Sequence, residues 1–343
     1  MKKFKFLLVI LAIMTFCGCG KTKSTNIIEK FKDKVNSTKS YQIVGSMEIV
    51  SNEETFTYDV NVDYKYDEFY KVTLLNKTND HEQVILKDGE SVYVVTPALN
   101  KSFKFQSEWP ANSSQSYLLK SLLKDIESTE NPVVDENDDY YIVNANVNYP
   151  NNNSLKTEKI YFDKNGELKE VQVLNKDGNA VIRMKFNSIK YSVKFDDEYF
   201  TLDSLITNTC EEEDCKKEDS SETGVIKDII YPLYLPEDTH LSTKDTVQTN
   251  VGDRVIMTYA GAKPFMIIEE AAKANKEMEV TSVSGDPLFL SNAIAAAGAN
   301  SLEWQSDNVN YYITSTYLTQ DEMRTIAESL NTASVVEIQD SIK

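Results

Sequence analysis

The sequence predicts an α+β fold, mainly β, in which a large twisted antiparallel sheet packs against helices and a small α+β domain follows. Residues 56–67 alternate strictly between apolar and polar side chains, which is typical of a long strand with one buried face. Asp-Gly and Asn-Gly pairs at 88–89, 165–166 and 177–178 separate further alternating segments and predict tight turns. A leucine-rich segment, residues 114–127, has helical spacing instead.

The first residues predict an export signal that ends at a cysteine. Lys2, Lys3 and Lys5 precede an apolar run, residues 6–16, that is shorter than the ~20 residues needed to span a bilayer. The end of the run, Phe16-Cys17-Gly18-Cys19, resembles the bacterial lipobox. We therefore expect a signal peptide over 1–18, a lipidated Cys19 that carries diacylglycerol, and a tether over 19–24. An ordinary cleaved signal is the alternative.

The composition limits the possible partners. The formal net charge of −18 argues against nucleic acid, because binding to phosphates needs clusters of Lys and Arg. The same charge repels anionic headgroups, so the lipid anchor and not the protein surface should hold the membrane. Outside the cytoplasm Cys210 and Cys215 form a candidate disulfide, with two free thiols as the alternative. No histidine lies near this pair, which disfavours a metal site.

The elements of the first domain, residues 25–206, follow in order along the chain. Asn26 is a candidate N-cap for a helix whose apolar stripe is Ile28, Phe31 and Val35. From Tyr41 onward the period changes to two, and alternating strands continue to about residue 205. The leucine-rich helix interrupts these strands. The sheet should therefore have one apolar face for the helices to cover.

A linker and a second domain complete the chain. The run at 207–224 is acidic, rich in serine and poor in apolar residues, which is typical of a linker. The region 225–343 predicts a small α+β domain. Its last helix has the strongest local signals: Thr319 and Glu322 match a capping box, and the stripe of Met323, Ile326 and Leu330 should be buried.

The first domain resembles the Lol-type lipoprotein carriers and their Gram-positive relatives. The likeness is carried by the initial helix, by "ILKDGESVYVVTP", and by "IYFDKNGELKEVQV" followed by "MKFNSIKYSVKFDDEYF". The second domain resembles an uncharacterised C-terminal domain of such lipoproteins, through "YPLYLPEDTHL", "MTYAG" and "LTQDEMRTIAESL". The combination is similar to sporulation and germination lipoproteins of Gram-positive bacteria.

The resemblance implies a large curved antiparallel half-barrel sheet with helices on its concave face. In the carriers the cavity inside the half-barrel holds the acyl chains of a lipoprotein. Here the candidate apolar cavity is formed by Phe56, Tyr58, Val60, Val62, Tyr64, Tyr66, Leu118, Leu119, Leu122 and Leu123. A filled core is the alternative for the same residues. The Arg-Pro that carriers place after an early strand is absent, and "YKYDEFYKV" stands in that region.

The motifs of common enzymes are missing from the sequence. His81 and His240 have no partner at zinc-ligand spacing, and neither a Gly-x-Ser-x-Gly motif nor a phosphate loop occurs. The segment Ser121–Lys124 matches Ser-x-x-Lys, but its companion Lys-Thr-Gly is lacking and Leu122 and Leu123 fit a helix core. We expect no catalytic residues, no metal and no cofactor.

These observations predict a binding or scaffold module on the extracytoplasmic face of the cell membrane of a Gram-positive bacterium. The expected partners are the membrane, through the lipid anchor, and an acyl chain or other apolar ligand or an envelope protein. A non-catalytic regulator or partner of cell-wall (cortex) enzymes in sporulation or germination is the alternative. An enzyme is a third hypothesis without a legible catalytic set.

Overall fold

The computed structural model describes residues 24–51, 54–66, 68–207, 226, 228–275, 277–306 and 308–330. Cys19, Cys210 and Cys215 lie outside these ranges, as does almost all of the predicted linker. The helices are α1 (Ser24–Ser37), α2 (Leu119–Ser128), α3 (Leu202–Thr207) and α4 (Gln320–Ser329), with a short 3-10 turn at Pro97–Leu99.

The strands of the first region are β1 (Ser40–Ser51), β2 (Glu54–Lys65), β3 (Phe69–Asn76), β4 (His81–Asp88), β5 (Val92–Thr96), β6 (Lys101–Phe105), β7 (Val133–Glu136), β8 (Tyr140–Asn146), β9 (Leu155–Asp163), β10 (Leu168–Asn175) and β11 (Ala180–Tyr191). Those of the second region are β12 (Thr239–Gln248), β13 (Asp253–Gly261), β14 (Phe265–Ala271), β15 (Glu279–Val283), β16 (Gly285–Phe289), β17 (Ile294–Gly298), β18 (Ser301–Ser306) and β19 (Val309–Thr314).

The strands form two sheets within the described ranges. The large sheet has the order β15-β6-β5-β4-β3-β2-β1-β11-β10-β9-β8-β7, and the smaller one has β12-β13-β14-β19-β18-β17-β16. Neighbours are antiparallel, except that β15 runs parallel to β6. The fold class is therefore confirmed: a mainly β, curved sheet with helices on its concave face, followed by a smaller module.

Helices α1 and α2 cover the concave face of the large sheet because each carries an apolar stripe. Ile27, Phe31 and Val35 of α1 are buried at the four-residue spacing that keeps them on one side. The sequence favoured Ile28 in this stripe, but Ile28 is only partly buried. The helix also begins at Ser24 and not after Asn26, so Asn26 is not its N-cap.

The smaller sheet has a separate core under α4. Met257, Ile267, Trp304 and Ile313 are fully buried on the face that α4 covers with its own apolar stripe. The predicted capping box at the start of α4 is present. The Thr319 side chain accepts a hydrogen bond from the Glu322 N–H, and the Glu322 side chain accepts one from the Thr319 N–H. Met323, Ile326 and Leu330 are each 0% exposed, as expected for the stripe.

The strand predicted at 56–67 is observed as β2, with different ends. Its register with β1 pairs Tyr41 with Tyr64 and ends at Ser40 with Lys65. Tyr66 lies beyond this end in a turn and is 55% exposed, so its assignment to the buried face is wrong. The backbone changes direction here, and Glu68 adopts a left-handed φ of 69°. The alternation of apolar and polar residues in the sequence continues beyond Lys65, the last residue of β2 that pairs with its neighbours.

Candidate functional site

The residues predicted to line a cavity pack in one hydrophobic core. Tyr58, Val60, Val62 and Tyr64 of β2 are buried, while Phe56 near the start of the strand is partly buried. They face the apolar side of α2 and its preceding residue, where exposed fractions lie between 0% and 5%: Leu118, Leu119, Leu122 and Leu123. The protein's own side chains occupy the concave face beneath α2. A ligand cavity at this place remains a prediction.

A row of aromatic side chains runs through this core across three strands. Tyr41, Tyr64 and Tyr70 occupy paired positions of β1, β2 and β3, with ring centroids 4.8 and 4.9 Å apart. Trp109 continues the row from Tyr70 at 5.8 Å. The Tyr64 hydroxyl and the Trp109 indole nitrogen are buried without a hydrogen-bond partner among the described residues. Of this row, only Tyr64 was among the residues predicted to line a cavity, because the other rings come from other segments of the chain.

Two acidic side chains are also buried in this region, one on β9 and one on α2 itself. Glu158 shares a face of β9 with Ile160 and Phe162, is 1% exposed, and has no partner for either carboxylate oxygen among the described residues. Burial first, and the charge of Asp125 second, raise the pKa of Glu158 well above its usual range. Asp125 belongs to α2 and accepts a hydrogen bond from Ser114 Oγ at 2.9 Å. Burial raises its pKa to about 6.

The sequence contained a signal for Glu158 that the prediction did not use. Residues 158–162 alternate, and Glu158 shares the buried phase of that alternation with Ile160 and Phe162. An acid at such a position is unusual, because burying a charge is costly unless it is paired. A buried acid at this position therefore indicates either a carboxyl group that is protonated and neutral or a functional site.

The second module, which comprises β12–β19 and α4, attaches to the large sheet through β15 and through buried hydrogen bonds. Tyr58 Oη donates to the Ser291 carbonyl at 2.6 Å, and the Ile294 N–H donates to Gln83 Oε1 at 2.6 Å. Ile294 also belongs to the core of the large sheet. These contacts fix the second module against the first, so a site between them has fixed walls.

Such a site exists as a cavity of about 230 Å³ at the end of the large sheet where β1, β9 and β11 meet β16 and α4. Asp286 of β16 accepts hydrogen bonds from Ser107 Oγ and, at 2.7 Å, from Asn112 Nδ2. About half of the side chains that line the cavity are apolar, and most of the others carry an amide or a hydroxyl group. The lining comprises Ile49, Val50, Ser51, Asn112, Ser113, Gln115, Tyr149, Pro150, Asn151, Asn152, Ser154, Leu155, Asn175, Val181, Ile182, Asp286, Pro287, Leu288, Phe289, Leu290, Arg324 and Glu328.

Two of the charged residues that line the cavity, Arg324 and Glu328, are paired on α4. Arg324 donates to Glu328 at 2.6 Å and to Asp321 at 2.9 Å, and it is 8% exposed. The Glu328 carboxylate also interacts with the Ser51 side chain at the end of β1. This bridge joins the last helix to the large sheet. Sequence reasoning missed it because the two ends are far apart in the chain.

A further buried acid lies in the core of the second module. Glu269 of β14 is 0% exposed and accepts the backbone N–H of Ile230 with both carboxylate oxygens, at 3.1 and 3.3 Å. Burial raises its pKa to about 7, and the Ile230 hydrogen bond opposes this. Glu269 thereby holds the segment that precedes β12 against the sheet.

The described residues contain no group of three or more His, Cys, Asp or Glu side chains placed to hold a metal ion. None of the helices in the described ranges has the length and apolar character needed to cross a bilayer.

Comparison with known proteins places the chain in a family. The family model described as outer membrane lipoprotein carrier protein LolA matches residues 74–203. The sporulation protein YdcC of Bacillus subtilis (strain 168) is 34% identical over 332 residues, which cover 96% of this chain and 97% of that protein.

Solved structures resemble this chain at lower similarity. A chain in the structure of the CwlD amidase from Clostridioides difficile in complex with the GerS lipoprotein matches at 13% identity and a TM-score of 0.30, covering 52% of this chain and 99% of that one. The LolA superfamily protein NE2245 of Nitrosomonas europaea matches at 13% identity and a TM-score of 0.32, covering 53% and 98%. With a LolA-like domain and a relative similar over nearly its whole length, the chain belongs to the family of the Bacillus sporulation protein YdcC.

Proposed function

We propose that this chain is a membrane-anchored extracytoplasmic lipoprotein that acts in sporulation as a non-catalytic binding module for an envelope protein. Its family membership supports the role in sporulation. The observation that carries the binding role is the cavity between the two modules, which offers a preformed recess lined by apolar, amide and hydroxyl side chains. A cell-wall (cortex) enzyme is the expected partner, and its activity is what the module would regulate.

The anchor is Cys19, carrying the two acyl chains of diacylglycerol. One acyl chain alone gives only marginal binding, since each buried CH₂ contributes about 0.8 kcal/mol, so stable attachment needs at least two. A Cys19→Ala variant should therefore stay unprocessed or leave the membrane. If this variant is processed normally and remains bound after a carbonate wash, the anchor lies elsewhere.

Crosslinking with mass spectrometry on membranes from sporulating cells tests the partner. We expect crosslinks to one envelope protein from residues around the cavity, reproduced when the partner is tagged instead. Crosslinks that spread evenly over many proteins would contradict a specific partner. Hydrolysis of cell-wall substrates by the purified chain, lost in a point variant, would contradict the non-catalytic role.

Binding of an acyl chain on the concave face is the second candidate. The Tyr64 hydroxyl and the Trp109 indole nitrogen favour it, because they are buried without a partner among the described residues, and the carbonyl oxygen at the head of an acyl chain could accept hydrogen bonds from them, although its hydrocarbon could not. The packing of Leu118, Leu119, Leu122 and Leu123 requires α2 to move before a chain can enter. Native mass spectrometry should then detect copurified acyl chains, and their absence from protein purified out of its own membrane would reject this candidate.

A further inference from the structure

The cavity between the modules has rigid walls. Asp286 is held by Ser107 and Asn112 from the first module, and Glu328 joins α4 to Ser51 of β1. The recess therefore does not depend on a single mobile element. A preformed recess binds without first paying the entropy of ordering its walls, so even a small ligand can contribute useful affinity.

The volume limits what can enter. A cavity of about 150 Å³ lined by aliphatic side chains holds one benzene. The cavity here is about 230 Å³, which accommodates one aromatic or branched aliphatic side chain with a few neighbouring atoms. The two long chains of a diacylglycerol exceed this space. The cavity is therefore the wrong size for a lipoprotein anchor.

The charges limit the ligand further. The lining contains two carboxylates, Asp286 and Glu328, and one guanidinium, Arg324, which is already paired with Glu328 and Asp321. No uncompensated positive charge remains on the described lining for a phosphate or a fatty-acid carboxylate. The formal net charge of −18 on the chain also disfavours an anionic ligand at longer range. A neutral or basic ligand is favoured.

The chemistry of the walls separates a peptide from a sugar. The apolar side chains of the lining come from four strands, β1, β9, β11 and β16: Ile49, Leu155, Ile182, Leu288 and Phe289. A sugar ring carries hydroxyls on all sides, and those that face the apolar side chains would lose water without a replacement, which is costly. An apolar side chain gains from the same burial. The amides that also line the cavity can bond to peptide groups on either side of it: Asn112, Gln115, Asn151, Asn152 and Asn175.

We infer that this cavity binds one apolar anchor side chain from a neutral or basic extended segment of the partner protein. The inference rests on the proposed binding function and names the surface and the segment that would meet. It also explains the position of the recess at the junction, since a partner held there contacts both modules at once. A single well-packed anchor in a desolvated pocket often supplies much of the affinity of an interface.

A phage-displayed library of random dodecapeptides, selected on the full-length chain in nanodiscs, tests the inference. We expect selected peptides to share one aromatic or branched aliphatic residue and to be poor in Asp and Glu. Val181 lines the cavity, so Val181→Trp should fill it and weaken peptide binding by at least tenfold. Val44 is 39% exposed on β1 and does not line the cavity, so Val44→Trp is the matched control and should leave binding unchanged.

Three results would overturn the inference: no peptide is enriched, the selected peptides bind Val181→Trp as well as the native chain, or decanoate or methyl glucoside competes with them. The partner crosslinks in sporulating cells are recorded for the same two variants. If the crosslinks persist in Val181→Trp, the partner binds elsewhere and the proposed function stands without this pocket. If the native chain gives no specific crosslink, the proposed function itself fails.

Discussion

Replacing Asp125 by Asn should stabilise the protein at neutral pH. The aspartate is 5% exposed between α2 and the sheet, and burial raises its pKa to about 6 from an ordinary value of 3.8. The folded state therefore holds a proton more tightly than the unfolded chain does. A pKa difference of this size corresponds to about 3 kcal/mol.

The sign of the pH dependence follows from the direction of the pKa change. Below about pH 4 both states of the wild-type protein are protonated at Asp125, and the stabilising contribution is fully present. It is lost as the pH rises toward the folded-state pKa of about 6. Asn does not titrate, and its Oδ1 can still accept the hydrogen bond from Ser114 Oγ. The variant should thus match the wild type at low pH and exceed its stability by up to about 3 kcal/mol at pH 7.

Urea denaturation followed by tryptophan fluorescence measures this difference. Trp109 and Trp304 are both fully buried and report on the first and the second core. Asp138 is exposed, so Asp138→Asn is the control for a changed charge without burial. If the difference between Asp125→Asn and the wild type is the same at pH 4.5 and pH 7.5, the buried carboxyl does not contribute to the pH dependence and the reasoning is wrong.

Three further predictions use the same assay. Glu269→Gln should keep an acceptor for the Ile230 N–H. Because burial raises the pKa of Glu269 to about 7, the wild type loses stability as the pH rises from 4.5 to 7, and the stability of the variant should exceed that of the wild type increasingly over this range; an unchanged pH profile would contradict this. Leu122→Ala should cost about 3 to 5 kcal/mol if the concave core is filled, against under 0.5 for the exposed Leu233→Ala, and a small loss would indicate a hollow interior. Tyr58→Phe removes the hydrogen bond to the second module and should cost about 1 kcal/mol; no loss would mean that this bond does not contribute to stability.

Local patterns carried much of the fold. The alternation before Tyr66 predicted β2, and Thr319 with Glu322 predicted the start of α4. Both signals depend on residues a few positions apart, so they survive without knowledge of the rest of the chain. The exposed position of Tyr66 shows their limit, because the end of a strand is set by where its neighbour stops pairing and the chain turns.

Pairings between distant segments could not be predicted from such patterns. Strand β15 has mostly exposed side chains, and it joins the large sheet through backbone bonds to β6, including Glu279 N–H to the Asn100 carbonyl at 2.8 Å. Backbone groups are the same in every residue, so nothing in Glu279–Val283 identifies the partner strand. The partner strand is identified in the folded sheet, where the edge of β6 offers unpaired backbone groups to another strand.

The sequence by itself determined that this chain has a lipobox-like start, a long alternating sheet, covering helices and a capped last helix. Only the tertiary structure decided that the second module completes the large sheet, that Glu158 of β9 is buried near Asp125 of α2, and that a cavity opens between the modules. The reason is physical: periodicity tells which side of an element is apolar, whereas a cavity or a buried pair exists only where separate elements meet.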